Sequence, residues 1–168
     1  MVFKMLPNKT LGSVLDLGCG TGLAGLELKQ FSQNLEGIDL SESMLEQARK
    51  KSVYDKLIHG DIVEHLSTTD LDFDYFLSTD VFVYVGDLSD IFRLIKTRNS
   101  RCGRLVFSTE HTEREGFHLE KSGRYSHSKT YIESLCFKYD YHLSHFEKAN
   151  LRKEKRKFIT GGLYLLDF

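Results

Sequence analysis

Apolar and polar positions follow two periods along the first two-thirds of the chain: short apolar runs give way to stretches whose apolar residues recur three and four apart. Residues 13–17 read as a strand, followed by a helix with Ala24, Leu28 and Phe31 on one face. A second apolar run, 35–39, leads to a helix whose buried stripe is Met44, Leu45 and Ala48. Ser43 and Glu46 have capping-box spacing there, with Ser41 as a rival cap. Residues 57–59 and 73–79 are the third and fourth strands. Asp87 then caps a helix in which Leu88, Ile91, Phe92 and Ile95 recur at helical spacing. Gly103 ends that helix, and 105–108 is the fifth strand. Such alternation predicts parallel β-α-β units in an α/β fold.

The final third changes character. Thr130 and Glu133 have capping-box spacing for a helix burying Tyr131, Ile132, Leu135 and Tyr139, and two extended runs, 141–151 and 158–167, follow with a charged connection between them. The order predicts seven strands, mostly parallel, with an antiparallel hairpin at the C-terminal end. A single domain spanning 1–168 is expected, because a chain of this length buries about two-thirds of its unfolded surface, enough for one core.

The densest chemistry lies at Val14-Leu-Asp-Leu-Gly-Cys-Gly-Thr-Gly22. Gly18, Gly20 and Gly22 allow a sharp turn and bring bare backbone against a ligand. The following helix points free N–H groups back at that turn. Asp16 places a carboxylate where a phosphate-binding loop would carry none, so the ligand it suits bears positive charge. Gly37-Ile-Asp39 ends the next apolar run, Leu40-Ser-Glu-Ser-Met44 opens a helix, and His59-Gly-Asp61-Ile62 and Phe73-Asp-Tyr-Phe-Leu-Ser-Thr-Asp80 follow in order.

This ordered series resembles the motifs of the class I S-adenosylmethionine-dependent methyltransferases. Gly123-Arg-Tyr-Ser-His127 and Arg152-Lys-Glu154 are further similar to the methyltransferase domains found with tetratricopeptide repeats in some bacterial proteins. The resemblance implies a Rossmann-like seven-stranded sheet and S-adenosylmethionine as cofactor. It places Asp16, Gly18, Cys19, Gly20 and Gly22 beside the amino-acid end of that cofactor, and Asp39 with Leu40 at the ribose. Met44, Gly60, Asp61 and Ile62 fall at the adenine, with Thr79 completing the cofactor set. Asp61 also has the position of a helix N-cap.

Acceptor residues are expected beyond the carboxyl ends of the fourth and fifth strands, where open α/β sheets bind ligands. Asp80, Tyr84, Arg124 and Tyr125 are the substrate candidates, with Arg124 pairing an acidic substrate group; His111 or His127 is the candidate base, and Tyr84 joins them as a catalytic candidate. A base is needed only where the acceptor holds its proton. Two other readings stay open. Gly20-Thr-Gly22-Leu-Ala-Gly25 also spells Gly-x-Gly-x-x-Gly, with Asp39 about 20 residues on, as in an NAD(P)-dependent oxidoreductase. Only about a dozen residues precede the first strand, so the N-terminal lid helices usual in the family are expected to be missing. A binding domain that keeps the fold without catalysing transfer is therefore the other alternative, and a homodimer or partner covering the open site is a further expectation.

Composition narrows the classes. A formal net charge of -1 provides no field to recruit nucleic acid or an acidic membrane, and a small-molecule methyl acceptor is expected instead. The basic cluster Arg152, Lys153, Lys155, Arg156 and Lys157 reads as a solvated connection, because no aromatics are interleaved for base stacking. Cys19, Cys102 and Cys136 are odd in number and widely spaced, which predicts reduced thiols and a cytoplasmic location. No apolar run approaches the roughly 18 residues of a membrane span. No metal site is expected, since the cysteines are isolated and His142 and His145 should face opposite sides of a strand.

Overall fold

A computed structural model describes residues 10–154 and 157–168, with side chains described outside 152–157. Five parallel strands form the frame: β1 (Gly12–Leu17), β2 (Ser32–Asp39), β3 (Lys56–His59), β4 (Tyr75–Ser78) and β5 (Arg104–His111), in the order β3-β2-β1-β4-β5. Helices α1 (Leu23–Leu28), α2 (Glu42–Lys51), α3 (Ile62–Thr68) and α4 (Ser89–Arg98) make the crossovers. Two short strands, β6 (Phe117–Leu119) and β7 (Tyr125–His127), precede α5 (Lys129–Tyr139). The long strands β8 (His142–Glu154) and β9 (Lys157–Asp167) close the fold as an antiparallel hairpin, with β9 inserted between β5 and β8 and antiparallel to both.

Nine strands are present among the described residues where the hydrophobic pattern predicts seven. The surplus is the β6–β7 hairpin, which joins the sheet where β7 pairs with Glu110 and His111 at the end of β5. Strands of three residues are too short to display a period. Other differences are local. Helix α1 ends at Leu28, leaving Phe31 outside it and partly exposed. Ser41, not Ser43, caps α2 by accepting the Met44 N–H, and Ser128, not Thr130, caps α5 by accepting the Tyr131 N–H. Asp87 accepts the Ser89 N–H and the Tyr131 hydroxyl at the start of α4. A register shift between Leu143 and His145 pairs His142 with Asp167 and His145 with Leu165, so the expected alternation of the two histidines is broken. The expected missing lid and the basic cluster's side chains fall on residues 1–9 and 152–157, outside those described.

Strand periodicity sorts the core into two layers. Leu15, Leu17, Phe76, Leu105 and Phe107 face a cluster built with α3, α4 and α5, whereas Val14, Tyr75, Leu77 and Val106 face a smaller one containing Leu28 and Leu35. Phe107 sits at the centre of the larger layer, stacked on Tyr164 at 4.9 Å and set edge-on to Phe92 at 5.9 Å.

Asp16 points into the smaller layer and is fully buried. Among the described residues its carboxyl has one hydrogen-bond partner, the Tyr54 hydroxyl, which donates to Oδ2 over 2.6 Å, and Oδ1 has none. Tyr54 reaches it through a gap that three glycines leave open. A Cβ on Gly25 would stand 2.5 Å from Tyr54 Cζ, one on Gly37 2.9 Å from Tyr54 Cε1, and one on Gly22 3.0 Å from Cε2. Burial pushes the Asp16 carboxyl up to about 7; the Tyr54 hydrogen bond opposes this, and Asp39 nearby reinforces it. Tyr54 is in turn driven well above the ordinary phenol range, first by burial and then by the Asp16 charge.

Two outcomes follow. Gly25→Ala should lower stability by about 1–3 kcal/mol in urea denaturation, because the clash with Tyr54 outweighs the helix propensity gained. The raised carboxyl makes folding favour the protonated form. Stability from this group is therefore greatest below the unfolded value of 3.8 and declines as pH rises to about 7, by an amount on the order of a few kcal/mol. Asp16→Asn should flatten that decline in urea titrations at stepped pH; an unchanged slope would show that burial leaves the Asp16 carboxyl at its unfolded value.

Candidate functional site

The carboxyl ends of β1, β2 and β4 converge on an open cleft of about 490 Å³, within the range of small-molecule sites. Its floor is the turn after β1. Gly18 and Cys19 both donate to the Ile38 carbonyl, at 2.8 and 2.9 Å, which ties the turn to β2. Gly18, with φ 74°, has a second constraint, since a Cβ there would lie 2.4 Å from Val81 Cγ2. Gly20, with φ 54°, would meet nothing within 4 Å, so its bare backbone faces open space.

Asp39 organises this floor. Its Oδ2 accepts the Gly20 N–H and its Oδ1 accepts the Ser41 N–H, each at 2.8 Å. The carboxylate thus locks the glycine turn to the start of α2, and each oxygen keeps a second lone pair for a ligand hydroxyl. Cys19 lines the same floor, where burial, with Asp16 and Asp39 adding repulsion, pushes its thiol up to about 12. It is therefore a neutral wall and a poor nucleophile.

Of the residues expected to contact the cofactor, Gly18, Cys19, Gly20, Asp39, Met44 and Thr79 line the cleft, together with the acceptor candidates Asp80 and Tyr84. Met44, expected in the buried stripe of α2, is 42% exposed there, whereas Leu45 and Ala48 are buried. Asp16 lies beneath the floor. Gly22 starts α1 just beyond it, and Leu40 is exposed beside Asp39. Gly60 donates to the Asp39 carbonyl at 3.1 Å, so Gly60, Asp61 and Ile62 continue the cleft's edge from β3 without lining it. Asp61 caps α3 by accepting the Glu64 N–H at 3.0 Å.

The residues expected at the acceptor end divide differently. Asp80 adopts φ 59°, and its N–H donates to Ser108 Oγ. Tyr84, 60% exposed, accepts a hydrogen bond from Arg124 Nη2 at 3.0 Å, and the Arg124 guanidinium also lies 5.3 Å from the centre of its ring. Tyr125 instead packs under Gly86 and against Phe117. Neither histidine lines the cleft. His127 is fully buried, with Nε2 2.9 Å from the Gly86 carbonyl, its ring against Phe117 and Tyr131, and its pKa held below the usual range by burial. His111, paired with His127 across β5 and β7, is likewise packed away from the cleft, with Nε2 3.2 Å from Glu113 and its ring against Phe146.

Sequence reasoning passed over Tyr54 and Glu110. Gly37 inside a strand was the available signal for Tyr54, since a strand glycine marks close approach by another group. Glu110 is a buried acid at the end of β5, 3.9 Å from Arg124 Nη1; nothing in its sequence neighbourhood marks it. Among the described residues no three His, Cys, Asp or Glu side chains gather to hold a metal ion, and no helix is long and apolar enough to cross a membrane.

The residues present fit an adenosyl ligand bearing an ammonium group: a diol-accepting carboxylate, a bare glycine floor and a half-exposed methionine at the mouth. Comparisons with known proteins agree. A family model described as a methyltransferase domain matches residues 8–158. An uncharacterised protein of Haemophilus influenzae is 33% identical over 135 residues, covering 73% of this chain and 53% of its own length. A malonyl-[acyl-carrier protein] O-methyltransferase of Hamiltonella defensa is 33% identical over 96 residues, covering 57% of this chain and 37% of that protein. The chain thus spans about half the length of the first relative and less of the second. The crystal structure of an S-adenosylmethionine-dependent methyltransferase from Mesorhizobium loti superposes with a TM-score of 0.74 at 21% identity, covering 99% of this chain and 95% of that one. The dinucleotide oxidoreductase reading gains no support, and Gly25, its third glycine, serves here to admit Tyr54. The chain belongs to the methyltransferase domain family and has the fold of the class I S-adenosylmethionine-dependent enzymes.

Proposed function

We propose that this chain transfers a methyl group from S-adenosylmethionine to a small-molecule acceptor. The observation that carries this reading is Asp39, whose two oxygens each hold one backbone N–H of the cleft floor while remaining on the cleft wall. A ribose diol is matched by that pair of lone pairs, and the glycine floor would take the amino-acid end of the cofactor. Asp16 beneath becomes negative as pH rises through about 7, and an ammonium or sulfonium above it would favour that charged form. When bound, the cofactor supplies an electrophilic methyl with a neutral leaving group, so the protein's contribution is alignment.

The cleft of about 490 Å³ continues from the glycine floor to Asp80 and Tyr84, which leaves room for a small acceptor group, and the Hamiltonella defensa relative is named for a malonyl group on an acyl-carrier protein. The buried free thiols of Cys19 and Cys136, and exposed Cys102, support a reducing, cytoplasmic setting.

Calorimetric titration with S-adenosylmethionine and S-adenosylhomocysteine, with NAD and NADP as controls, tests the reading. Micromolar binding of the adenosyl ligands is expected. Asp39→Ala should weaken it by about tenfold to a hundredfold, the worth of hydrogen bonds to a charged group. Binding of NAD alone, or of no ligand by folded protein, would overturn the proposal.

A further inference from the structure

Resting on the methyltransferase reading, the geometry points to a carboxylate as the methyl acceptor, with Arg124 as the residue that binds it and a methyl ester as the product. Arg124 projects from the β6–β7 hairpin onto Tyr84, a residue of the cleft wall. Its guanidinium is oriented at two points. Nη2 donates to the Tyr84 hydroxyl at 3.0 Å, and Nη1 stands 3.9 Å from Glu110, near enough for charge attraction and too far for a hydrogen bond. Nε and Nη1 consequently have no hydrogen-bond acceptor among the described residues, though the side chain is only 24% exposed. A planar fork held in place with donors unspent is the arrangement that captures a carboxylate.

The second observation concerns protons. A hydroxyl or protonated amine must lose a proton during transfer, but His127 is spent on the Gly86 carbonyl in an aromatic cage, and His111, nearly buried, does not line the cleft and is held by Glu113 and Phe146. A carboxylate needs no such help. One of its oxygens forms a bond to the methyl carbon, the carbon–sulfur bond breaks with its electron pair passing to sulfur, and an ester and a neutral thioether result with no proton transferred. Asp80 and Glu110 are the opposing charges. Glu110 is compensated by Arg124 itself, and Asp80 lies at the exposed rim, where solvent and salt screen it. Val81 and Tyr84, on either side of the turn after Asp80, give the adjoining wall an apolar character, so the carboxylate should carry an apolar body.

The test is equilibrium binding to the wild-type protein saturated with S-adenosylhomocysteine. Butanoate, octanoate and phenylacetate are titrated against butylamine, octylamine and phenethylamine. At least one carboxylate should bind in preference to its amine. Arg124→Gln should weaken that binding by about tenfold or more and Arg124→Lys by less, with S-adenosylhomocysteine affinity unchanged in both. Preference for the amines, absence of carboxylate binding, or carboxylate affinity indifferent to Arg124→Gln would overturn the assignment. Failure of S-adenosylhomocysteine to bind is read in the preceding titration and strikes the cofactor reading separately.

Discussion

The hydrogen bond between Tyr54 and Asp16 is the contact around which the nucleotide half of the molecule is arranged. A carboxyl group in the middle of a sheet layer carries a heavy desolvation cost, and one short bond from a phenol is its direct relief. That phenol must come from the loop after α2 and pass between α1 and the sheet. The gap exists because positions 22, 25 and 37 carry no side chain. One polar pair therefore dictates the close packing of α1, the lack of a side chain in the middle of β2 and the placement of the α2–β3 connection. With these elements drawn together, Asp39 comes within hydrogen-bonding reach of Gly20, and the cleft floor is set.

Much of this was legible in the chain because it is written in periods and in glycines. The parallel strands and the late hairpin follow from runs long enough to show a repeat, and the cleft follows from an acid and three alternate glycines after an apolar run. What stayed illegible has physical causes. Tyr54 lies in a connection with no period, and its role is visible only once Asp16 is known to be buried. Met44 shares its spacing with Leu45 and Ala48, and helical spacing alone does not tell which flank of the apolar stripe abuts a cleft instead of a sheet. His111 and His127 sit at strand ends, as a functional histidine would. Whether each ring points up into the cleft or sideways into packing depends on the pleat and on the β6–β7 hairpin, too short to register.

On the proposed reading, acceptor recognition and cofactor recognition rest on different kinds of scaffold. The cofactor floor is made by turns between long parallel strands and is fixed by backbone hydrogen bonds. The proposed acceptor side is furnished by a short 3₁₀ turn carrying Tyr84 and by a small hairpin carrying Arg124, whose side chains meet at the Tyr84 hydroxyl and ring face. The first demands a particular backbone path, whereas the second can exchange side chains without disturbing the sheet. Substrate choice can thus drift while the nucleotide half stays constant.

The position of β9 has a consequence for how the molecule is made. It lies between β5 and β8, pairing with β5 along seven residues from Arg104 to Glu110. Both β8 and β9 follow α5 in the chain, so during synthesis β5 leaves the ribosome with one long edge bare and waits for a strand translated well after it. Until then the edge offers unpaired amides beside exposed faces of Phe107 and Val106, a surface on which nascent chains could join one another. Protection of that edge, by a chaperone or by rapid delivery of the final hairpin, is thereby a requirement on the birth of this fold rather than on its finished state.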